Sequence, residues 1–188
     1  HSYLSVDTDR RVFRFDSFSK SVAPGLRLGW LTGPSAAIIP LYDVNLVSTL
    51  TQVLLHKVLM EWGSHGFESH LDRLRRYYRE RCAVTRQAIM DAFSYAPTDP
   101  ALTPPSAGMF WWFDTRIPNH MFDNLLLAMA EEKVIVAPSS IFTLHTDTST
   151  RDHTLFVRIS YGRGDCHDLQ EGIRRLARAV RRLVTSVF

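Results

Sequence analysis

A short segment near the start of the chain combines the residue types that a phosphate-bearing aldehyde cofactor requires. Lys20 ends a strand-like run beside the hydroxyls of Ser17 and Ser19, and Arg27 follows seven residues later behind a Pro-Gly turn. A lysine amine can form a Schiff base with an aldehyde, while hydroxyls and a guanidinium donate directional hydrogen bonds to phosphate oxygens. The alternative is a solvated lysine and arginine in a surface loop, because Ser-x-Ser-Lys alone is a weak pattern.

The composition of the chain excludes several other classes of protein. Its 188 residues are 45% hydrophobic and 22% charged, which indicates a folded domain or a domain and a half rather than a disordered chain. The net charge is +3, and 19 of the 22 basic residues are arginine, so Lys20 is one of three lysines. Two cysteines cannot form a disulfide framework, which favours a reducing cytosolic compartment. We expect no targeting or membrane-spanning segment.

Other polar clusters do not predict a site. His65 and His70 lack the spacing of helical metal ligands, and no acidic pair completes a metal site, so we expect solvated histidines and no metal. The arginines at 73–86 and 174–182 lie on helices that also carry acidic or apolar residues. We interpret them as solvated helix faces rather than as a nucleic-acid site.

Hydrophobic periodicity predicts the elements that must position the Lys20 segment. In the first half of the chain these are strands over 11–18 and 26–32, a helix from Leu46 through Val58 that ends near 62–63, and a helix over 67–93. A helix as long as the last one is suited to joining two lobes.

The second half of the chain predicts a small lobe of about three strands and two helices. The expected elements are a loop over 96–105, a strand over 108–113, a helix capped by Asn119 and running through Glu131, a strand over 133–137 stopped by Pro138, a strand over 154–161 and a final helix that begins near Asp165 and Asp168. We expect Trp111 and Trp112 both to be buried in the first of these strands. Together, the strands and helices predicted for both halves indicate an α/β or α+β chain.

Residues 16–34 resemble the lysine segment of fold-type I pyridoxal-phosphate aminotransferases, and within them the aminoadipate/kynurenine and aromatic aminotransferase branch. Further blocks resemble the same branch in the same order, at 47–50, 61–63, 66–67, 105–111, 134–138 and 156–160. The resemblance covers essentially the whole chain. Several blocks in register are far more specific than the lysine motif alone.

The resemblance implies a role for each matching residue. Lys20 would hold pyridoxal phosphate as a Schiff base and relay the substrate Cα proton. Ser17, Ser19 and Arg27 would bind the cofactor phosphate. Arg158 would bind the substrate carboxylate, a role that suits a guanidinium on a strand. The alternative for Arg158 is an ordinary arginine on the surface of a strand.

Leu50 and Phe110 match positions that line the substrate side-chain pocket in this branch. Leu50 would reach the site of the other subunit across a dimer interface. The alternative for both is plain core packing, since apolar residues in amphipathic elements are usually core.

The resemblance also implies an architecture and an activity. The fold would be the C-terminal part of the aspartate-aminotransferase-like α/β fold, with a remnant of the large cofactor-binding domain at 1–66, a connecting helix at 67–94 and a small domain at 95–188. The activity would be transamination of an aromatic amino acid, kynurenine or 2-aminoadipate with a 2-oxo acid. We expect a cytoplasmic homodimer that binds neither nucleic acid nor membrane.

The chain departs from this family in three places. The family's aspartate for the cofactor's ring nitrogen and its phosphate loop lie upstream of the lysine, but only nineteen residues precede Lys20. We therefore expect the chain to be about the C-terminal half of such an enzyme. Several family residues are missing after Leu50, and Pro138 is followed by Ser139 instead of glycine. Two alternatives stay open, namely the effector domain of an aminotransferase-like transcription regulator and an inactive truncated domain.

Overall fold

The computed structural model describes residues 2–40, 47–96, 98–142 and 154–185, and the chain divides into two compact units. The N-terminal unit is His1–Leu74 and the C-terminal unit is Arg75–Phe188. The helices and strands are β1 (Arg14–Ser17), β2 (Gly29–Thr32), α1 (Ser35–Ile38), α2 (Thr49–Phe93), β3 (Phe110–Pro118), α3 (Phe122–Glu131), β4 (Ala137–Pro138), β5 (Thr154–Ser160) and α4 (Cys166–Thr185). Leu46, the predicted start of a helix, lies outside the described residues.

The N-terminal unit is built on an antiparallel hairpin of β1 and β2, which are shorter than the predicted strands. The rings of Phe18 and Trp30 pack across its end with centroids 4.7 Å apart. The two predicted helices form the single element α2, which is interrupted at Gly63 (φ 59°, ψ −174°). The left-handed φ favours glycine, and it falls where the first helix was expected to end.

The C-terminal unit contains an antiparallel sheet of order β3-β5-β4 and most of the hydrophobic core. One face of β5 buries Leu155, Val157 and Ile159, as the alternation in the sequence predicts. The predicted apolar line of the last helix is also buried, and its members are Leu169, Ile173, Leu176, Val180 and Leu183. No helix in the described part of the chain is long and apolar enough to cross a bilayer.

The predicted strand over 133–137 is wrong, because its first residues complete the end of α3. Lys133 has a φ of 54°, and its N–H donates to the Ala130 carbonyl oxygen (3.0 Å). The Val134 N–H donates to the Met129 carbonyl oxygen (3.0 Å). These bonds satisfy helix carbonyls and leave only Ala137–Pro138 to pair with β5. Proline is tolerated there because β4 is an edge strand.

Four side chains differ from expectation. Trp111 is buried as predicted, but Trp112 points to the opposite face of β3 and is 46% exposed. Asn119 begins a 3₁₀ turn, Asn119–Met121, instead of capping α3 directly. His70 is half-buried and bonds the Ser21 carbonyl oxygen (2.7 Å), so it is not simply solvated.

Arg81 is the fourth exception, because it is only 5% exposed although the sequence predicts a solvated face. It lies on the same helical stripe as the buried residues Thr85, Ala88 and Ala92. Because arginines occur throughout 73–86, the sequence does not distinguish Arg81 from the exposed arginines around it.

Candidate active site

The Lys20 segment is carried by the hairpin of the N-terminal unit. Ser17 is the last residue of β1 and pairs with Gly29, the first residue of β2. A Cβ at position 29 would overlap the Asp16 carbonyl oxygen, so the close approach of the strands requires glycine there. The Asp16 carboxylate is paired with Arg14 (2.6 Å). The hairpin therefore fixes the backbone that leads into Lys20.

The hydroxyls of Ser17 and Ser19 lie side by side at the end of β1. Their Oγ atoms are 2.9 Å apart, and the Ser19 backbone N–H donates to the Ser17 Oγ (3.1 Å). The Ser17 Oγ also lies 3.4 Å from the Leu28 carbonyl oxygen on the opposite side of the hairpin. The structure thus brings together two of the four predicted cofactor residues through local backbone geometry.

Lys20 and Arg27 lie in the loop that joins β1 to β2. Lys20 is exposed in a turn where the Val22 N–H donates to the Phe18 carbonyl oxygen (2.9 Å). Arg27 follows the 3₁₀ turn Pro24–Leu26 with a φ of 49°, and its side chain is exposed. The Pro-Gly turn predicted from the sequence is therefore present, and both cationic side chains are accessible.

The chemistry of this donor set fits pyridoxal phosphate. Two neighbouring hydroxyls and an exposed guanidinium supply neutral and charged hydrogen-bond donors for a phosphate. An accessible primary amine in the same loop supplies the group that condenses with an aldehyde. All of these groups belong to one hairpin of the N-terminal unit.

Arg158 lies in β5, the central strand of the C-terminal sheet, paired with Trp112 on one side and Ala137 on the other. Its guanidinium carbon is 4.3 Å from the ring centroid of Phe110 and 4.7 Å from that of Phe142. Aromatic rings contact the flat faces of a guanidinium, whereas a carboxylate binds its N–H edge. Arg158 can therefore pack against both rings and still bind a carboxylate. The rings restrict the orientation of its guanidinium.

The exposed face of the sheet carries two further aromatic rings beside Arg158. Trp112 stacks on Phe156 with ring centroids 5.9 Å apart and planes at 15°. It also meets the edge of Phe142 at 5.6 Å. Phe142 was not among the predicted site residues, because it follows a short edge strand and no periodic pattern marks it.

A pocket of about 510 Å³ opens beside Arg158 in the C-terminal unit. Phe110 and Ser160 line it together with Arg158, and Ile135 and Ile141 supply part of its apolar wall. The pocket combines a guanidinium with apolar surface, which matches a ligand that has a carboxylate and an apolar side chain.

The remaining predicted site residue, Leu50, is 68% exposed near the start of α2. It belongs to the N-terminal unit, as does the Lys20 segment, whereas Phe110 and Arg158 belong to the C-terminal unit. The structure thus assembles the predicted residues into two local groups, one in each unit.

One cluster among the described residues has the spacing of metal ligands. Asp165, His167 and Asp168 bring their ligand atoms within 4.8 Å of one another at the start of α4, and all three are exposed. The Asp165 Oδ1 already accepts the Asp168 backbone N–H (2.7 Å). Helix capping accounts for this arrangement.

The chain belongs to the aminotransferase class I and II family, whose model matches residues 2–176. This match confirms the family resemblance inferred from the sequence blocks. Pyridoxal phosphate is the cofactor that the family match and the structural neighbours support.

The relatives include aminotransferases of the branch that the motifs indicate. The chain is 32% identical over 197 residues to the aromatic amino acid aminotransferase C1773.13 of Schizosaccharomyces pombe, covering 95% of this chain and 40% of that protein. It is 29% identical to the mouse mitochondrial kynurenine/alpha-aminoadipate aminotransferase, and the match covers 96% of this chain and 42% of that protein. It is also 32% identical to YisV of Bacillus subtilis, an uncharacterized HTH-type transcriptional regulator, covering 97% and 36%. The chain thus spans about two fifths of the length of these relatives.

Solved structures confirm the expected fold class. The aromatic aminotransferase Aro9 of C. albicans superimposes with a TM-score of 0.86 at 28% identity, covering 99% of this chain and 42% of that one. LysN of Thermus thermophilus, an alpha-aminoadipate aminotransferase complexed with N-(5'-phosphopyridoxyl)-L-leucine, gives a TM-score of 0.75 at 30% identity, covering 93% and 43%. The chain therefore has the fold of one part of a pyridoxal-phosphate aminotransferase.

Proposed function

We propose that the protein carrying this chain is a pyridoxal-phosphate-dependent aminotransferase. It transfers the amino group of an aromatic amino acid, kynurenine or 2-aminoadipate to a 2-oxo acid. The observation that carries this proposal is the grouping of Lys20 with the adjacent hydroxyls of Ser17 and Ser19 and with Arg27 on one hairpin. The aromatic enclosure of Arg158 supports it independently.

The N-terminal group supplies cofactor binding and proton transfer. Ser17, Ser19 and Arg27 hold the phosphate through charge-assisted hydrogen bonds. Pyridoxal phosphate, when bound, supplies the electron sink for the substrate Cα. Lys20 would hold the cofactor through its amine, and the same amine would move the proton at the substrate Cα. Because Lys20 is the movable base, its removal abolishes turnover even where the phosphate is still bound.

The C-terminal group supplies substrate orientation. Arg158 binds the α-carboxylate through its N–H edge while Phe110 and Phe142 hold its flat faces. Phe110 and the neighbouring apolar wall contact the substrate side chain. A fixed carboxylate limits the rotation of the substrate and aligns its Cα–H bond for proton transfer.

We propose the wider organisation on the family resemblance. Residues 1–66 belong to the large cofactor-binding domain, 67–94 connect the domains and 95–188 form the small domain. The protein acts as a cytoplasmic homodimer in which the exposed Leu50 reaches the substrate pocket of the other subunit. Sedimentation of the purified protein and fractionation of cells that express it test these two assignments.

The test uses the protein expressed from its complete coding sequence. We expect added pyridoxal phosphate to give the visible absorbance of a lysine-bound cofactor, and amino acids of the three classes to be transaminated with a 2-oxo acid. Lys20→Ala abolishes both signals. Lys57→Ala is the matched control, because Lys57 is an exposed lysine of the same unit outside the hairpin. Absence of the absorbance in the wild type, or its equal loss in both variants, contradicts the proposal.

The likeness to YisV favours one second candidate, the effector domain of a transcription regulator. Such a protein uses Lys20 and Arg158 to sense an amino acid or the cofactor, and a separate region binds DNA. A gel-shift assay of the protein on its own promoter distinguishes the two functions. Cofactor-dependent DNA binding without turnover supports the regulator, whereas turnover without DNA binding supports the enzyme.

A further inference from the structure

The strand that carries Arg158 ends in a turn that is held by a buried arginine from α2. The Arg81 Nε donates to the Tyr161 carbonyl oxygen (2.6 Å). Its Nη2 donates to the carbonyl oxygens of Arg163 (2.8 Å) and Gly164 (2.7 Å). The rigid fork of a guanidinium suits three converging carbonyl oxygens, which the single ammonium of a lysine cannot bridge in the same way.

Tyr161 links this turn to the beginning of β3. Its backbone N–H donates to the Met109 carbonyl oxygen (3.1 Å), and its hydroxyl donates to the Gly108 carbonyl oxygen (3.0 Å). Gly162 packs so closely that an added Cβ would lie 3.2 Å from the Met109 sulfur. The residues directly before Phe110 and directly after Ser160 are therefore tied to each other.

We propose that Arg81 and Tyr161 are positioning residues that align Arg158 with Phe110 for substrate binding. Arg81 fixes the turn three residues beyond Arg158, and Tyr161 fixes the entry to Phe110, so the pair sets the register of both strands at the pocket. Both residues act through other groups and contact no substrate. The inference rests on the proposed function in one respect, which is that Arg158 binds the substrate carboxylate.

The kinetic test compares Arg81→Met with Arg86→Met in the protein expressed from its complete coding sequence. Arg86 is a matched control because it also lies on α2 and donates from its Nε to a carbonyl oxygen, that of Leu102 (3.2 Å). We expect Arg81→Met to raise the KM for the amino acid about tenfold, with a smaller change in kcat, because a displaced carboxylate ligand weakens binding and alignment. We expect the KM of Arg81→Lys to lie between the values of Arg81→Met and the wild type. The cofactor absorbance is unchanged in these variants.

A merely structural role for Arg81 would reduce the amount of folded protein without changing KM. A KM for Arg81→Met within about twofold of the wild-type value, or an equal rise in Arg86→Met, overturns the inference. If Arg81→Met does not fold, Tyr161→Phe removes the hydroxyl bond to the Gly108 carbonyl oxygen together with the hydroxyl's contact to Cys82, and we expect about a threefold rise in KM. In that case, an unchanged KM in Tyr161→Phe overturns the inference.

Amide hydrogen exchange separates this inference from the proposed function. Arg81→Met should speed exchange over 158–164, while Arg86→Met should leave that segment protected. If the wild-type protein transaminates nothing but this contrast appears, the proposed activity fails and the positioning of Arg158 stands. If exchange over 158–164 is the same in the two variants, the positioning fails whatever the activity.

Discussion

The two units of this chain hold their functional residues by different means. In the N-terminal unit Leu55 is the only buried residue among those described, and the Lys20 segment is shaped by hairpin pairing, a glycine contact and short-range hydrogen bonds. In the C-terminal unit Arg158 lies on the central strand of a sheet whose other face is part of a continuous hydrophobic core. Local backbone geometry thus organises the first group, and long-range packing organises the second.

The difference indicates where mutations should affect stability and where they should affect only chemistry. The described part of the N-terminal unit exposes many large apolar side chains, including Phe15, Leu50 and Met60. Substitution of such exposed side chains is expected to change the free energy of unfolding little. Four predictions test this comparison, each with the free energy of unfolding measured by guanidinium denaturation.

The largest effect is expected in the C-terminal core. Phe113 is fully buried and packs on Phe93 with ring centroids 4.8 Å apart. Phe113→Ala leaves a cavity and lowers the free energy of unfolding by about 3–5 kcal/mol. A loss below about 1 kcal/mol would mean that this core does not carry the stability of the unit.

The next effect concerns alkaline pH. Burial, followed by the neighbouring Cys82, raises the pKa of Tyr161 from its ordinary value of 10.0 to about 12. The unfolded chain loses this proton first, so stability is fully present below pH 10 and falls as the pH rises to 12. The total loss is roughly 2–3 kcal/mol. Tyr161→Phe has no phenol proton to lose at this position, so its free energy of unfolding should fall less as the pH rises. An identical fall in the two proteins would contradict this prediction.

A smaller effect is expected at the start of α4. The Asp165 carboxylate accepts the Asp168 N–H (2.7 Å), which satisfies a helix N-terminal donor. Asp165→Ala therefore costs about 1 kcal/mol, whereas Asp165→Asn retains the cap and costs little. Equal losses in the two variants would indicate that charge, and not capping, is the source of the stabilisation.

The smallest effect is expected in the N-terminal hairpin. Phe15 is 78% exposed on β1, opposite Leu31. Phe15→Ala changes the free energy of unfolding by no more than about 0.5 kcal/mol. A loss as large as that of Phe113→Ala would break the comparison, because it would show that the hairpin is packed against a core of its own.

Much of the fold follows from patterns that the sequence displays locally. Alternation along β5 and the apolar line of α4 predict which residues are buried, since a strand or helix with one covered face repeats its apolar residues at a fixed period. The strand predicted over 133–137 is reduced to its last residue and Pro138, because the N–H groups of Lys133 and Val134 complete the end of α3. The prediction that Trp112 is buried is wrong because two successive tryptophans in β3 must point to opposite faces of the strand.

The sequence by itself determined the family, the Lys20 segment and the identity of Arg158 as a candidate ligand, because several motifs occur in order along the chain. Only the tertiary structure decided which groups surround Arg158. Phe142 and Arg81 lie 16 and 77 residues away from it in the chain, and the sheet and α2 bring them to its strand. Contacts at such separations depend on how whole elements pack, and no local pattern records them.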